Sequence, residues 1–109
     1  MKVYIACKMT GEQNYNRDKI RAVAKIVKQS GYEPVHGADL PDDWEYMDYI
    51  KHGLKQLIDC NLMLIIGDDW EKSKGITKYE LPLAKVLDIE IEYMNESFID
   101  SIIEKFAKE

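Results

Sequence analysis

The sequence predicts a three-layer α/β domain, a four-stranded parallel sheet with helices on both faces, and three observations carry that expectation. Two short runs, Val3-Tyr4-Ile5-Ala6-Cys7 and Leu62-Met63-Leu64-Ile65-Ile66, are continuously apolar rather than alternating, as strands covered on both faces are. Longer segments between and after them repeat apolar residues at helical spacing. No internal repeat or linker-like stretch divides the 109 residues, so one domain spanning 1–109 is expected.

The elements follow in order. After the first run, Ile20, Val23, Ala24 and Val27 recur at helical spacing up to Gly31, a helix stop. Tyr32 to Val35 then reads as a short strand, and Pro34, which cannot donate to a ladder, assigns it to an edge. A second helix is expected to begin near Asp42 or Asp43, to carry Tyr46, Ile50, Leu54 and Leu57 inward and to end by Cys60, with Gly53 as its weak point. The second apolar run is followed by a third helix over roughly Lys78 to Leu87. Ile89, Ile91 and Tyr93 alternate with Glu90 and Glu92, a half-exposed strand at the other edge. Ser97 with Asp100 resembles a capping pair for a last helix that buries Phe98, Ile99, Ile102, Ile103 and Phe106. Four strands, each followed by a helix and joined by right-handed crossovers, are most simply ordered 2-1-3-4, a small flavodoxin-like arrangement. Ligands of such sheets sit beyond the carboxyl ends of the strands where the order reverses, here between strands 1 and 3. The loops Cys7 to Asn16 and Gly67 to Glu80 are therefore the ones to search.

Composition narrows the function. With 46% hydrophobic and 32% charged residues, 3 Pro and 6 Gly, the chain is neither disordered nor of low complexity. Fifteen basic against twenty acidic side chains, a net −5, argue against long nucleic acid as partner and leave room for a small anionic ligand. The longest apolar run, Leu62 to Ile66, is far too short to span a bilayer, and Lys2 directly precedes a strand-like segment rather than a signal-peptide core. A cytoplasmic protein without membrane association is expected. Cys7 and Cys60 cannot build a disulfide framework, and with His36 and His52 they show no zinc-ligand spacing, so neither a metal nor an organic cofactor is expected.

The first loop offers Lys8, Met9, Thr10 and Gly11 before a helix start among Asn14 and Asn16, a set suited to an anionic group such as phosphate; the plainer alternative is a strand-to-helix turn with a solvated lysine. The second loop sets Trp70 among Asp69, Glu71, Ser73 and Gly75, where the indole would either stack on a flat base or pack against the body of the domain. Thr77-Lys78-Tyr79-Glu80 matches a capping box, but Pro82 would then fall at the fifth helical position and disturb the first turns. A carboxylate at a helix start beside the switch point is also where the backbone dipole would hold a nucleophile ionised. Trp44, in Pro41-Asp42-Asp43-Trp44-Glu45-Tyr46-Met47, would line the cleft or a contact with another subunit, whereas Tyr46 reads as core. His36 and His52 stand alone and are not expected to act directly.

The strings KVYIACKMTG at 2–11, LPDDWEYM at 40–47 and GDDWEKSKGITKYELPLAKVLDIEIEY at 67–93 together resemble the nucleoside 2-deoxyribosyltransferase-like superfamily, over nearly the whole chain. The likeness is greatest to a small phage and bacterial branch without a settled function. The resemblance implies a flavodoxin-like domain that cleaves or exchanges the N-glycosidic bond of a nucleoside or nucleoside monophosphate. By that likeness Glu80 is the nucleophile and Tyr4 the residue that orients it. Lys8, Thr10 and Gly11 become phosphate or sugar contacts, and Ser73 and Gly75 the small residues before the glutamate. Three positions depart from the pattern: Cys7 replaces a usual glycine, Asn61 replaces a common aspartate, and the aspartate that helps position substrate falls nearest Gly53, with Asp48 and Asp59 offset from it. The expected activity is accordingly that of an N-glycosidic bond hydrolase or deoxyribosyltransferase. The alternatives are a non-catalytic nucleotide-binding protein that sequesters or senses its ligand, and a subunit serving assembly alone. A homo-oligomer, most simply a dimer, is expected because family members are generally oligomeric and the cleft of so short a chain is shallow.

Overall fold

The computed structural model describes residues 1–108. Strands β1 (Lys2–Cys7), β2 (Glu33–Val35), β3 (Leu62–Ile66) and β4 (Glu90–Met94) form one parallel sheet in the order β2-β1-β3-β4, as the sequence predicts. Helices α1 (Arg17–Gln29), α2 (Tyr46–Ile58), α3 (Leu81–Val86) and α4 (Glu96–Ala107) follow the strands in turn. Side chains alternate across the central strands. Val3, Ile5, Leu64 and Ile66 pack with Ile20, Val23, Val27 and Ile99 on one face, while Tyr4, Ala6, Met63 and Ile65 pack with Leu57, Ile76, Leu81 and Ala84 on the other. Burying each large aliphatic side chain contributes about 1.5–3 kcal/mol, so both faces of β1 and β3 are held firmly. The edges are polar or short: β2 has three residues, and β4 exposes Glu90, Glu92 and Tyr93.

Several boundaries differ from expectation, each for a local reason. Helix α2 starts at Tyr46 rather than near Asp42 or Asp43, because Asp42 is engaged by Arg17 and the Tyr49 hydroxyl donates to Pro41 O, which keeps 41–45 in a turn. Tyr46 is consequently 46% exposed instead of core. The third helical stretch opens at Gly75, not Lys78, and runs as a wide π-helical turn to Glu80 before α3 begins. The last helix is capped by Asn95, whose side chain accepts the Phe98 N–H, and not by Ser97 with Asp100. Of the five residues expected to be buried by this helix, Phe98 is 53% and Ile103 37% exposed and Phe106 is half-buried, so the buried stripe is the narrower Ile99 and Ile102. Among the described residues no helix is long and apolar enough to cross a membrane.

Candidate functional site

A cavity of about 580 Å³ opens over the carboxyl end of β1, between the segments that follow β2 and β3. Its floor is Tyr4, Ile5, Ala6 and Cys7, and its rim includes Lys8, Met9, Thr10, Arg17, Asp42 and Trp44. Helix α2 supplies one wall through Tyr46, Tyr49, Ile50, Gly53 and Gln56, residues three or four apart that share a helix face. Opposite stand Ser73, Gly75 and Glu80.

Tyr4 and Glu80 meet in this cavity although 76 positions separate them. The alternation of β1 turns Tyr4 toward α2 and α3, and the π-helical turn carries Glu80 over the same face. The Tyr4 hydroxyl donates to Glu80 Oε2, while Oε1 has no partner among the described residues. Burial pushes the Glu80 carboxyl up to about 7, against the opposing pull of the Tyr4 hydrogen bond. The Tyr4 phenol is held well above its usual 10, first by burial and then by the neighbouring Glu80 charge.

Two expectations about Glu80 are corrected here. It is not held ionised by a helix start, because it ends a six-residue π-helical turn and lies outside the first turn, where a backbone dipole acts. The capping box does not form either: Thr77 Oγ1 donates to Ser73 O, and Glu80 is given over to Tyr4. Pro82 falls at the second position of α3, directly after the wide π-helical turn.

The first loop is built around its lysine. Lys8 Nζ donates to Thr10 O at 2.8 Å and to Glu12 at 2.9 Å, and Asn16 holds Lys8 O at 2.7 Å. Asn14, Tyr15 and Asn16 all adopt left-handed conformations, with φ of 49°, 54° and 58°. Asparagine tolerates this conformation, but Tyr15 is held there at a cost. The run brings Tyr15 and Arg17 to the rim, with the guanidinium 4.9 Å from the Tyr15 ring and paired to Asp42. Both Lys8 and Arg17 are thus engaged by carboxylates that an anionic ligand would have to displace.

Of the residues singled out in the sequence, Tyr4, Lys8, Met9, Thr10, Trp44, Ser73, Gly75 and Glu80 line the cavity. Gly11, Asp69 and Trp70 do not. Trp70 packs on the core beneath α2 and α3 and meets the Tyr93 ring at 5.3 Å, so it serves the body of the domain. Trp44 lines the cavity from a half-buried position, with its ring 5.5 Å from those of Tyr49 and His52. His52 is occupied by that contact, and His36 Nδ1 accepts the Ala38 N–H at 3.1 Å. Neither histidine lines the cavity. Cys7 does, but burial pushes its thiol up to about 12, which removes it as a competing nucleophile near neutral pH. Among the described residues no three His, Cys, Asp or Glu side chains gather where they could hold a metal ion.

Sequence reading missed Arg17, Tyr49 and Gln56. The last two were legible as the 46, 49, 53, 56 stripe of α2, hidden behind the more apolar Ile50, Leu54 and Leu57. Gln56 lines the cavity, and its Oε1 is buried with no hydrogen-bond partner.

Among solved structures, this chain is similar to a 2-deoxyribosyltransferase from Bacillus psychrosaccharolyticus, with a TM-score of 0.64 and 14% identity over 87% of this chain and 72% of that one. At that identity the likeness is one of fold. A designed Rossmann 2x2 fold protein matches over 99% of this chain and 89% of its own at 17% identity, with a TM-score of 0.47. No curated protein matches the sequence. The model of the family described as Domain of unknown function (DUF4406) matches residues 1–93, so the two central strands, the cavity and the Tyr4–Glu80 pair all fall within it, and the chain belongs to that family.

Proposed function

We propose that this protein cleaves or exchanges the N-glycosidic bond of a nucleoside or nucleoside monophosphate, with Glu80 as the nucleophile. The observation that carries the reading is the pairing of buried Tyr4 with half-buried Glu80, facing a cavity at the carboxyl edge of the sheet. The fold shared with a 2-deoxyribosyltransferase supports it. With Oε2 tied to the Tyr4 hydroxyl, Oε1 is the oxygen that attacks the anomeric carbon. The bond from that carbon to the base nitrogen breaks as the new ester bond forms, and the base departs with the electron pair and takes up a proton from water. Water then attacks the same carbon and frees Glu80, or the nitrogen of a second base does so and completes an exchange. Lys8 and Arg17 at the rim suit an anionic group on the sugar, once Glu12 and Asp42 give way. Incubation with a panel of nucleosides and monophosphates, with free base followed by chromatography, tests the reading. Base released by the native protein and not by Glu80→Gln is the expected result.

A specific feature favours a second reading, binding without catalysis. Gly53, on the wall beside the pair, offers no second carboxylate to Glu80, and two of the cations that line the cavity, Lys8 and Arg17, are already engaged. A ligand that binds in calorimetry yet is recovered intact would select it.

A further inference from the structure

We propose that Gly53 is a positioning residue, whose missing side chain on α2 is what lets the Tyr4 hydroxyl stand against Glu80. A Cβ built at Gly53 would lie 2.7 Å from the Tyr4 hydroxyl oxygen, 3.5 Å from Glu80 Oε2 and 3.8 Å from Tyr4 Cζ. The first distance is well inside the contact of a carbon and an oxygen, so any larger residue must move the hydroxyl. Tyr4 has little freedom to give way. Its ring is 6% exposed, sits on a central strand and is packed among Leu57, Met63 and Ile65.

Local helix chemistry does not explain the glycine. Gly53 is buried in the middle of a thirteen-residue helix, where Ala would be favoured by about 1 kcal/mol. Its backbone is not in the left-handed region that would call for glycine. A residue that breaks a local rule without a backbone reason, directly against the reacting pair, is accounted for by what its absence of side chain admits. The same geometry keeps a second acid off this wall beside Glu80, because a side chain at position 53 would occupy the place of the Tyr4 oxygen. The catalytic meaning of this inference rests on Glu80 as the reacting group; the geometry itself does not.

The test is a double-mutant cycle of Gly53→Ala and Tyr4→Phe, read by carbon-13 NMR titration of the Glu80 carboxyl and by urea unfolding. Gly53→Ala is expected to raise the Glu80 midpoint by about one pH unit, as Tyr4→Phe does, since both remove a hydrogen bond that favours the carboxylate. In the Tyr4→Phe background the added alanine meets no oxygen, so the midpoint should not move again and stability should hold or rise. Equal effects of the alanine in both backgrounds, or an unmoved midpoint in Gly53→Ala alone, would overturn the proposal. If Gly53→Ala does not fold, a folded double variant supports the proposal and an unfolded one refutes it. Neither readout uses base release, so a native protein that releases no base removes the glycosidase reading without touching this result.

Discussion

Replacing Glu80 with Gln should make the protein more stable, and only as the pH rises. An unfolded glutamate titrates near 4.5, whereas Glu80 in the fold titrates at about 7, so the folded state binds the proton more tightly. The sign follows from linkage. The stabilisation from holding that proton is complete below about pH 4.5 and is lost as pH rises through about 7. Above pH 8 the ionised carboxylate in its buried place costs about 3 kcal/mol relative to the unfolded chain, at 1.36 kcal/mol per pH unit. Gln carries no charge and retains an oxygen that can accept the Tyr4 hydroxyl, so it avoids the penalty. Native protein and variant should therefore be nearly equal in urea unfolding at pH 4.5 and differ by about 3 kcal/mol at pH 8.5. For a domain of this size that separates the melting temperatures by about 10–20 °C. Two unfolding series, one at each pH and equal ionic strength, suffice. A difference that does not grow with pH would show that Glu80 is not a desolvated carboxylate.

Base release should depend on the same ionisation: kcat/KM is expected to rise with pH through about 7 and level off as Glu80 becomes fully charged, and a flat profile from pH 5.5 to 8.5 would exclude an ionised Glu80 as nucleophile. Lys8→Ala should weaken a nucleoside monophosphate about tenfold or more and a neutral nucleoside much less, since one charge-assisted contact contributes about 1.5–3 kcal/mol; equal losses in titration calorimetry would refute a phosphate role. We also propose a homodimer, in which the exposed Tyr46 and Met47 beside the cavity mouth lie at the shared surface. Light scattering should give twice 12.7 kDa, Met47→Glu should return it to 12.7 kDa, and a native mass of 12.7 kDa with full activity would rule the dimer out.

What the sequence disclosed follows from how strongly each feature is coupled to solvent. Val3–Cys7 and Leu62–Ile66 are apolar without interruption because both faces are covered, and Pro34 and the Glu90/Glu92 alternation mark the edges, so the strand order was legible. Helix starts were not, because several polar residues compete to cap. Asp42 goes to Arg17, and Asn95 takes the cap that Ser97 also could have filled. Asparagine is at least as good a cap as serine, so the sequence carries both signals and only the fold decides between them. The Tyr4–Glu80 pair was foreseen through resemblance and meets as expected, whereas Trp70 turned inward to Tyr93. A tryptophan between charged residues reads as exposed only if its neighbours' exposure extends to it, and here the short turn Trp70–Lys72 folds it back onto the sheet.

The distribution of strain and cost in the molecule is itself an argument about where it acts. On the face covered by α1 and α4, the core of Val3, Ile5, Val23, Leu64, Ile66 and Ile99 is wholly apolar. The departures from that economy collect around the cavity. The Glu80 carboxyl is pushed up to about 7 by burial, and Gln56 Oε1 is buried without a partner among the described residues, at about 1–3 kcal/mol. Gly53 weakens the middle of a helix, and Tyr15 is held in a left-handed conformation at the rim. Asp88, among the described residues the one other besides glycine with positive φ outside the first loop, has an ordinary reason, since it turns the chain from α3 into β4 and aspartate tolerates that conformation. A cavity left over from packing would be lined by residues chosen for the fold, and those choices would stabilise it. This one is lined by four features that each weaken the fold, and they reach it from the first loop, α2 and the π-helical turn. On the proposed reading, a bound ligand would offer a donor group to the Gln56 oxygen and an electrophilic carbon to the free oxygen of Glu80.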